Sequence, residues 1–129
     1  MRGIHSIDNR RIERIADSLV ELADYSSEGV PILVEGKKDE NALKTVGVTG
    51  RIVRVRQRRK KLFELVEELA SQKTVVILTD FDQEGEKLAE ELSRRLHSFG
   101  VQTILRDELR SVMSWASRQI EGISNIRGL

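Results

Sequence analysis

The sequence predicts an α/β fold: a four-stranded parallel sheet with helices on both faces and an extra helix at the N-terminus. Three observations support this prediction. Short apolar runs alternate along the chain with amphipathic segments of helical period. The run 75–78 has no polar alternation, which is typical of a strand covered on both faces. Strands that are separated by helices pair in parallel through right-handed crossovers.

The predicted strands are four apolar runs rich in β-branched residues. Pro31 suits the start of the first run, because a missing N–H group is tolerated there. The four predicted strands are 30–34, 51–55, 74–79 and 101–105.

The predicted helices place apolar residues at a spacing of three and four. Asp8 suits the N-cap of the first helix and Asp39 that of the second. Gly47 and Gly100 end two of the helices, because glycine readily adopts the left-handed conformation beyond a helix end. The five predicted helices are 8–24, 39–46, 60–72, 84–98 and 107–120.

The composition limits the classes of protein to which the chain can belong. Its 129 residues are 39% hydrophobic and 33% charged, which suits one folded domain over 1–129, with a helical extension at 1–29 and an α/β core at 30–129. The sequence has no cysteine, which excludes disulfides, thiol nucleophiles and thiolate metal sites. No apolar run approaches the roughly 20 residues of a membrane span, and the N-terminus lacks the apolar region of a secretory signal. We therefore expect a cytoplasmic protein with no membrane partner.

Acidic residues follow the first and third predicted strands, namely Glu35, Asp80 and Asp82. If the second strand lies outside the first, the strand order is 2-1-3-4, and its switch falls between these two acidic strand ends. Neighbouring carboxylates repel one another unless a counter-charge lies between them. Oxygen ligands without His or Cys favour Mg²⁺ or Mn²⁺. The sequence therefore predicts that these three residues bind a divalent metal ion.

A basic segment, 51–61, follows the same end of the predicted sheet and carries seven basic residues and no acidic one. Removing this +7 from the net charge of +1 leaves −6 on the rest of the chain, so the basic charge is local. One interpretation is a contact with the RNA or DNA backbone; the other is a solvated edge strand that charge protects from aggregation. For the first interpretation, the predicted nucleic-acid-binding residues are Lys37, Lys38, Arg54, Arg56, Arg58 and Arg59.

Two motifs, VEGKKDENAL at 34–43 and VVILTDFDQEGEKLAEEL at 75–92, resemble the Toprim domain of topoisomerases, primases and several nucleases. The first motif is similar to that of a nuclease that matures ribosomal RNA, and the second to that of type IA topoisomerases. The resemblance covers about Pro31 to Leu109. It implies that Glu35 is a catalytic acid or base or a metal ligand, and that Asp80 and Asp82 bind Mg²⁺.

The resemblance implies a Mg²⁺-dependent enzyme that acts on nucleic acid, most simply a phosphodiester hydrolase, nuclease or phosphotransferase using one or two ions, with Mn²⁺ as a substitute. The alternative is an adaptor that binds nucleic acid within a larger complex without cleaving it. Strand passage and primer synthesis are not expected, because the sequence lacks the cysteines and further domains that carry them. The GxxxxGK[ST] motif of Walker NTPases is also absent. Homo-oligomerisation is left open.

Overall fold

A computed structural model of the protein describes the backbone of residues 2–127 and the side chains of residues 9–119. Within that range, four strands form one parallel sheet in the order β2-β1-β3-β4. The strands are β1 (Ile32–Val34), β2 (Ile52–Arg54), β3 (Thr74–Ile77) and β4 (Gln102–Ile104). The predicted fold class and strand order are confirmed.

Helices precede the sheet and follow every strand. They are α1 (Arg2–Ser27), α2 (Lys37–Thr45), α3 (Leu62–Leu69), α4 (Gln83–Ser98) and α5 (Asp107–Arg127). Gly47 and Gly100 follow α2 and α4 with positive φ angles of 97° and 80°, as predicted for residues beyond a helix end. No helix of the described residues combines the length and apolar character that a membrane crossing needs.

Two predicted N-caps are wrong. Because α1 begins at Arg2, Asp8 lies inside that helix. The N-cap of α2 is Gly36, and Asp39 is its third helical residue. Its carboxylate Oδ2 accepts a hydrogen bond from the backbone N–H of Gly36 at 3.1 Å, so Asp39 stabilises the helix start from inside the first turn.

The hydrophobic core has two halves, one on each face of the sheet. Ile32 and Val34 contribute to the half that contains residues of α1, α2 and α5. Leu33, between them, contributes to the half that contains residues of α3 and α4. All three side chains are fully buried, which fits a parallel strand covered on both faces. This packing fixes the strand ends from which the candidate site is built.

Candidate functional site

The carboxyl ends of β1 and β3 lie side by side. Leu33 stands opposite Ile77 in the parallel register, and the N–H of Leu78 donates to the carbonyl of Leu33 at 2.8 Å. Just beyond these contacts the Glu35 side chain reaches across, and its Oε1 accepts a hydrogen bond from the Asp80 N–H at 3.0 Å. The structure thus brings the first acidic residue directly against the loop that carries the other two.

Asp82, which the sequence predicts as a metal ligand, is the N-cap of α4. Its Oδ1 accepts a hydrogen bond from the N–H of Gly85 at 2.7 Å, while its own backbone is extended, with φ −69° and ψ 171°. The cap satisfies one of the free N–H groups at the helix start. Asp82 therefore fixes where α4 begins and leaves its second carboxylate oxygen outside that bond.

Gly85 allows the first turn of α4 to pack directly onto the end of β3. A Cβ atom at this position would lie 2.1 Å from the carbonyl oxygen of Asp80 and 2.9 Å from Oε1 of Glu35. Both distances are far inside van der Waals contact, and the nearer atom belongs to the backbone. A side chain is thus incompatible with this close approach.

Asp39 adds a fourth carboxylate, for which the sequence predicted only a helix cap. The pKa of Asp80 is raised mainly by burial, and the negative charge of Asp39, in the first turn of α2, adds to this effect. Its spacing of four residues from Glu35 in VEGKKD was the available signal. Glu35, Asp39, Asp80 and Asp82 together are called the acidic site below.

The electrostatics of the acidic site disfavour its fully ionised form. Burial is the main cause that raises the pKa of Glu35, and the charges of Asp80 and Asp82 add to it, while the Asp80 N–H and Arg56 act in the opposite direction. Burial is also the main cause that raises the pKa of Asp80, followed by the charges of Asp39 and Asp82. The negative charge here is therefore only partly compensated by the protein.

The acidic side chains do not form a closed metal cage. Within residues 9–119, no three carboxylate or imidazole side chains converge closely enough to hold an ion together. The reason is visible in their hydrogen bonds: Glu35 is turned toward the N–H of Asp80 and Asp82 toward the N–H of Gly85. Metal binding by Glu35, Asp80 and Asp82 stays a prediction.

Of the six predicted nucleic-acid-binding residues, Arg56 contacts the acidic site. Its Nε lies 3.9 Å from Oε2 of Glu35, and its guanidinium also reaches Glu84 at 3.4 Å. Arg54 is paired with Glu40 of α2 at 3.3 Å. The remaining four are exposed, two in the first turn of α2 and two in the turn after β2: Lys37, Lys38, Arg58 and Arg59.

Arg110 of α5 holds the loop between β3 and α4, and sequence reasoning did not identify it. Only 3% of its side chain is exposed. It donates to the carbonyls of Thr79 at 2.9 Å and Asp80 at 2.6 Å, and it pairs with Glu86. Its guanidinium also lies 4.4 Å from the ring centroid of Phe81. The one available signal was a charged residue next to the apolar stripe of the last predicted helix.

Comparison with known proteins gives one family and several relatives. The family model described as the Toprim domain matches residues 30–109. A "UPF0292 protein" of Methanosarcina acetivorans is 36% identical over 91% of this chain and 82% of its own length. A "UPF0292 protein" of Thermococcus onnurineus is 38% identical over 93% of this chain and 84% of its own. A solved structure of an Aquifex aeolicus protein has a TM-score of 0.64 at 25% identity and covers 78% of this chain and 89% of that one.

Proposed function

Since this chain belongs to the Toprim family, which binds metal ions and processes nucleic acid, we propose that it is a Mg²⁺-dependent phosphodiester hydrolase that cleaves RNA or DNA. The observation that carries this proposal is the contact of Glu35 with the Asp80 N–H across the ends of β1 and β3. It supports a single site at the topological switch point, where open α/β sheets bind their ligands.

The residues of the acidic site fit Mg²⁺ as a partner. The donors are oxygen atoms only, which is the ligand type that this ion prefers. Burial and the neighbouring carboxylates raise the pKa values of Glu35 and Asp80, so their ionised forms are disfavoured, and a bound cation would stabilise them. Asp80 and Asp82 would hold the ion, with Glu35 or Asp39 beside it. When bound, Mg²⁺ would neutralise charge on the phosphate oxygens as a phosphodiester is cleaved.

Glu35 has the environment of a proton-transfer group. Its side chain is only 14% exposed, and burial raises its pKa above the ordinary value of a glutamate, which favours exchange of a proton with a substrate. The Asp80 N–H fixes Oε1, which leaves Oε2 to accept or return a proton. In the proposed reaction, Glu35 takes a proton from the attacking water or gives one to the leaving oxygen.

Arg56 is placed to bind the phosphate. Its guanidinium contacts Glu35 and Glu84 at 3.9 and 3.4 Å, distances that are long for strong ion pairs. About half of its side chain is exposed. An arginine fork binds phosphate oxygens through two parallel hydrogen bonds, which would orient the scissile group toward the acidic site.

The experiment is a cleavage assay with labelled single- and double-stranded RNA and DNA, titrated with Mg²⁺ and Mn²⁺. We expect the double variant Asp80→Asn plus Asp82→Asn to lose metal-dependent cleavage, and Glu35→Gln to lose at least about a hundredfold in rate. Asp24→Asn is the matched control, because Asp24 is exposed on α1. Undiminished cleavage by the Asp80–Asp82 double variant would contradict the proposal.

A non-cleaving adaptor is the second candidate function. It is favoured by the cap that occupies Asp82 Oδ1 and by the absence of three converging acidic side chains within residues 9–119. An adaptor would bind nucleic acid with strong salt dependence and release no product at any metal concentration. The same assay therefore separates the two candidates.

A further inference from the structure

A groove between α1 and α5 opens beside the acidic site. It has a volume of about 660 Å³ and includes Phe81, the residue between the two aspartates of the β3–α4 loop. Most of its other lining residues lie outside the segment 30–109 that the family model matches. The groove is therefore built largely by parts of this chain that are additional to the matched domain.

The groove is rich in arginine. Four arginines line it, namely Arg10, Arg11, Arg14 and Arg118, against two acidic residues, Asp107 and Glu108. Three serine residues, Ser18, Ser111 and Ser114, also line it. Among side chains 9–119, no carboxylate lies within ion-pair distance of the three α1 arginines. This surface, the arginine groove, is therefore complementary to an anion.

Phe81 gives the groove an aromatic surface at its junction with the acidic site. The side chain is 46% exposed although the residues on either side of it are charged. The Arg110 guanidinium lies over the ring at 4.4 Å and holds it in place. A fixed, half-exposed ring next to arginines is the combination that binds single-stranded nucleic acid, because unpaired bases stack on aromatic rings while arginines contact the phosphates.

We propose that the arginine groove binds the single-stranded segment of nucleic acid that adjoins the bond at the acidic site. One base stacks on Phe81, and the phosphates that follow contact Arg10, Arg11 and Arg14. Bases of a duplex are already stacked and paired, so this contact selects single strands. The position of the bound strand relative to the reacting phosphate rests on the proposed function, but binding in the groove does not.

The test is fluorescence anisotropy with a labelled single-stranded oligonucleotide in EDTA, where metal-dependent cleavage is silent. We expect Phe81→Ala to weaken binding about tenfold and Phe81→Trp to retain it. Phe99→Ala is the matched control, since Phe99 is 53% exposed but lies at the far end of α4, about 24 Å along the helix from its start. The double variant Arg10→Gln plus Arg14→Gln should reduce the slope of log affinity against log salt by about 1.4. Arg94→Gln, at an exposed position of α4, should leave the affinity unchanged.

Two results would overturn the groove proposal. The first is wild-type affinity in both Phe81→Ala and the arginine double variant. The second is duplex binding as tight as single-strand binding with the same dependence on Phe81. If neither the wild type nor any variant cleaves nucleic acid in Mg²⁺, but binding in EDTA depends on Phe81 and the groove arginines, the proposed hydrolase is refuted and the groove proposal stands.

Discussion

Substitution of Gly85 by alanine tests the close packing on which the acidic site depends. The added Cβ would meet the Asp80 carbonyl oxygen at 2.1 Å and its carbon at 2.8 Å. Because these are backbone atoms, the β3–α4 loop or the first turn of α4 must move. Glu35 Oε1, at 2.9 Å from the same Cβ, must move as well.

The expected loss of stability follows from two opposing effects. Overpacking in a well-packed region costs about 1–3 kcal/mol, and a clash with backbone belongs at the upper end of that range. Alanine regains about 1 kcal/mol through its better helix propensity. We expect the free energy of unfolding of Gly85→Ala to fall by about 1–2 kcal/mol, which corresponds to a decrease in Tm of roughly 5 °C for a chain of this size.

Gly36→Ala is the matched control at a glycine of the same site. A Cβ atom there would have no neighbour within 4 Å, and the extended φ of −149° suits any residue. Urea unfolding of both variants, with and without Mg²⁺, provides the measurement. We expect Gly36→Ala to stay within about 1 kcal/mol of the wild type. Equal stability and equal Mg²⁺ response in the two variants would refute the packing argument.

Three further outcomes are expected. Arg110→Met should lower the free energy of unfolding by about 2 kcal/mol in urea titrations, because charged hydrogen bonds to the β3–α4 loop are lost. Arg110→Lys should not restore the wild-type stability. An unchanged unfolding midpoint in Arg110→Met would contradict the role of Arg110 in holding this loop. Ser26→Ala should cost about 1 kcal/mol, because the Gly50 N–H loses its acceptor at 2.7 Å; a smaller thermal shift than in Ser27→Ala would be inconsistent with that bond. In metal-free protein, Glu35 and Asp80 stabilise the fold while they are protonated, because folding raises their pKa values. This contribution is complete below their ordinary pKa values of 4.5 and 3.8, and it is lost as the pH rises through the raised values. Thermal unfolding of the wild type against Glu35→Gln plus Asp80→Asn should show this loss, and parallel pH profiles would refute it.

The strand order could be predicted because the sequence marks the switch point twice, with Glu35 after the first apolar run and Asp80 after the third. Helix ends were predicted less well. Gly36 caps α2 without a side chain, so the sequence favoured the more usual cap, Asp39, two residues inside the helix. The N-cap role of Asp82 is a local contact, because its side chain accepts a hydrogen bond from a residue only three positions away.

Contacts between distant segments account for what sequence reasoning missed. Arg110 bonds to Thr79 and Asp80, about thirty residues earlier in the chain, and no local pattern encodes that distance. The arginine groove forms only where α1 meets α5, at opposite ends of the sequence.

Calorimetric titration of Mg²⁺ near pH 5, in two buffers of different ionisation enthalpy, tests most directly whether the acidic site binds a metal ion. If Glu35 and Asp80 are partly protonated there and bind the ion as carboxylates, binding must release protons, and the observed heat must differ between the buffers. We predict this proton release in the wild type and in Asp24→Asn, and no Mg²⁺ binding in Asp80→Asn plus Asp82→Asn. Binding by that double variant with the wild-type affinity and proton release would contradict the account.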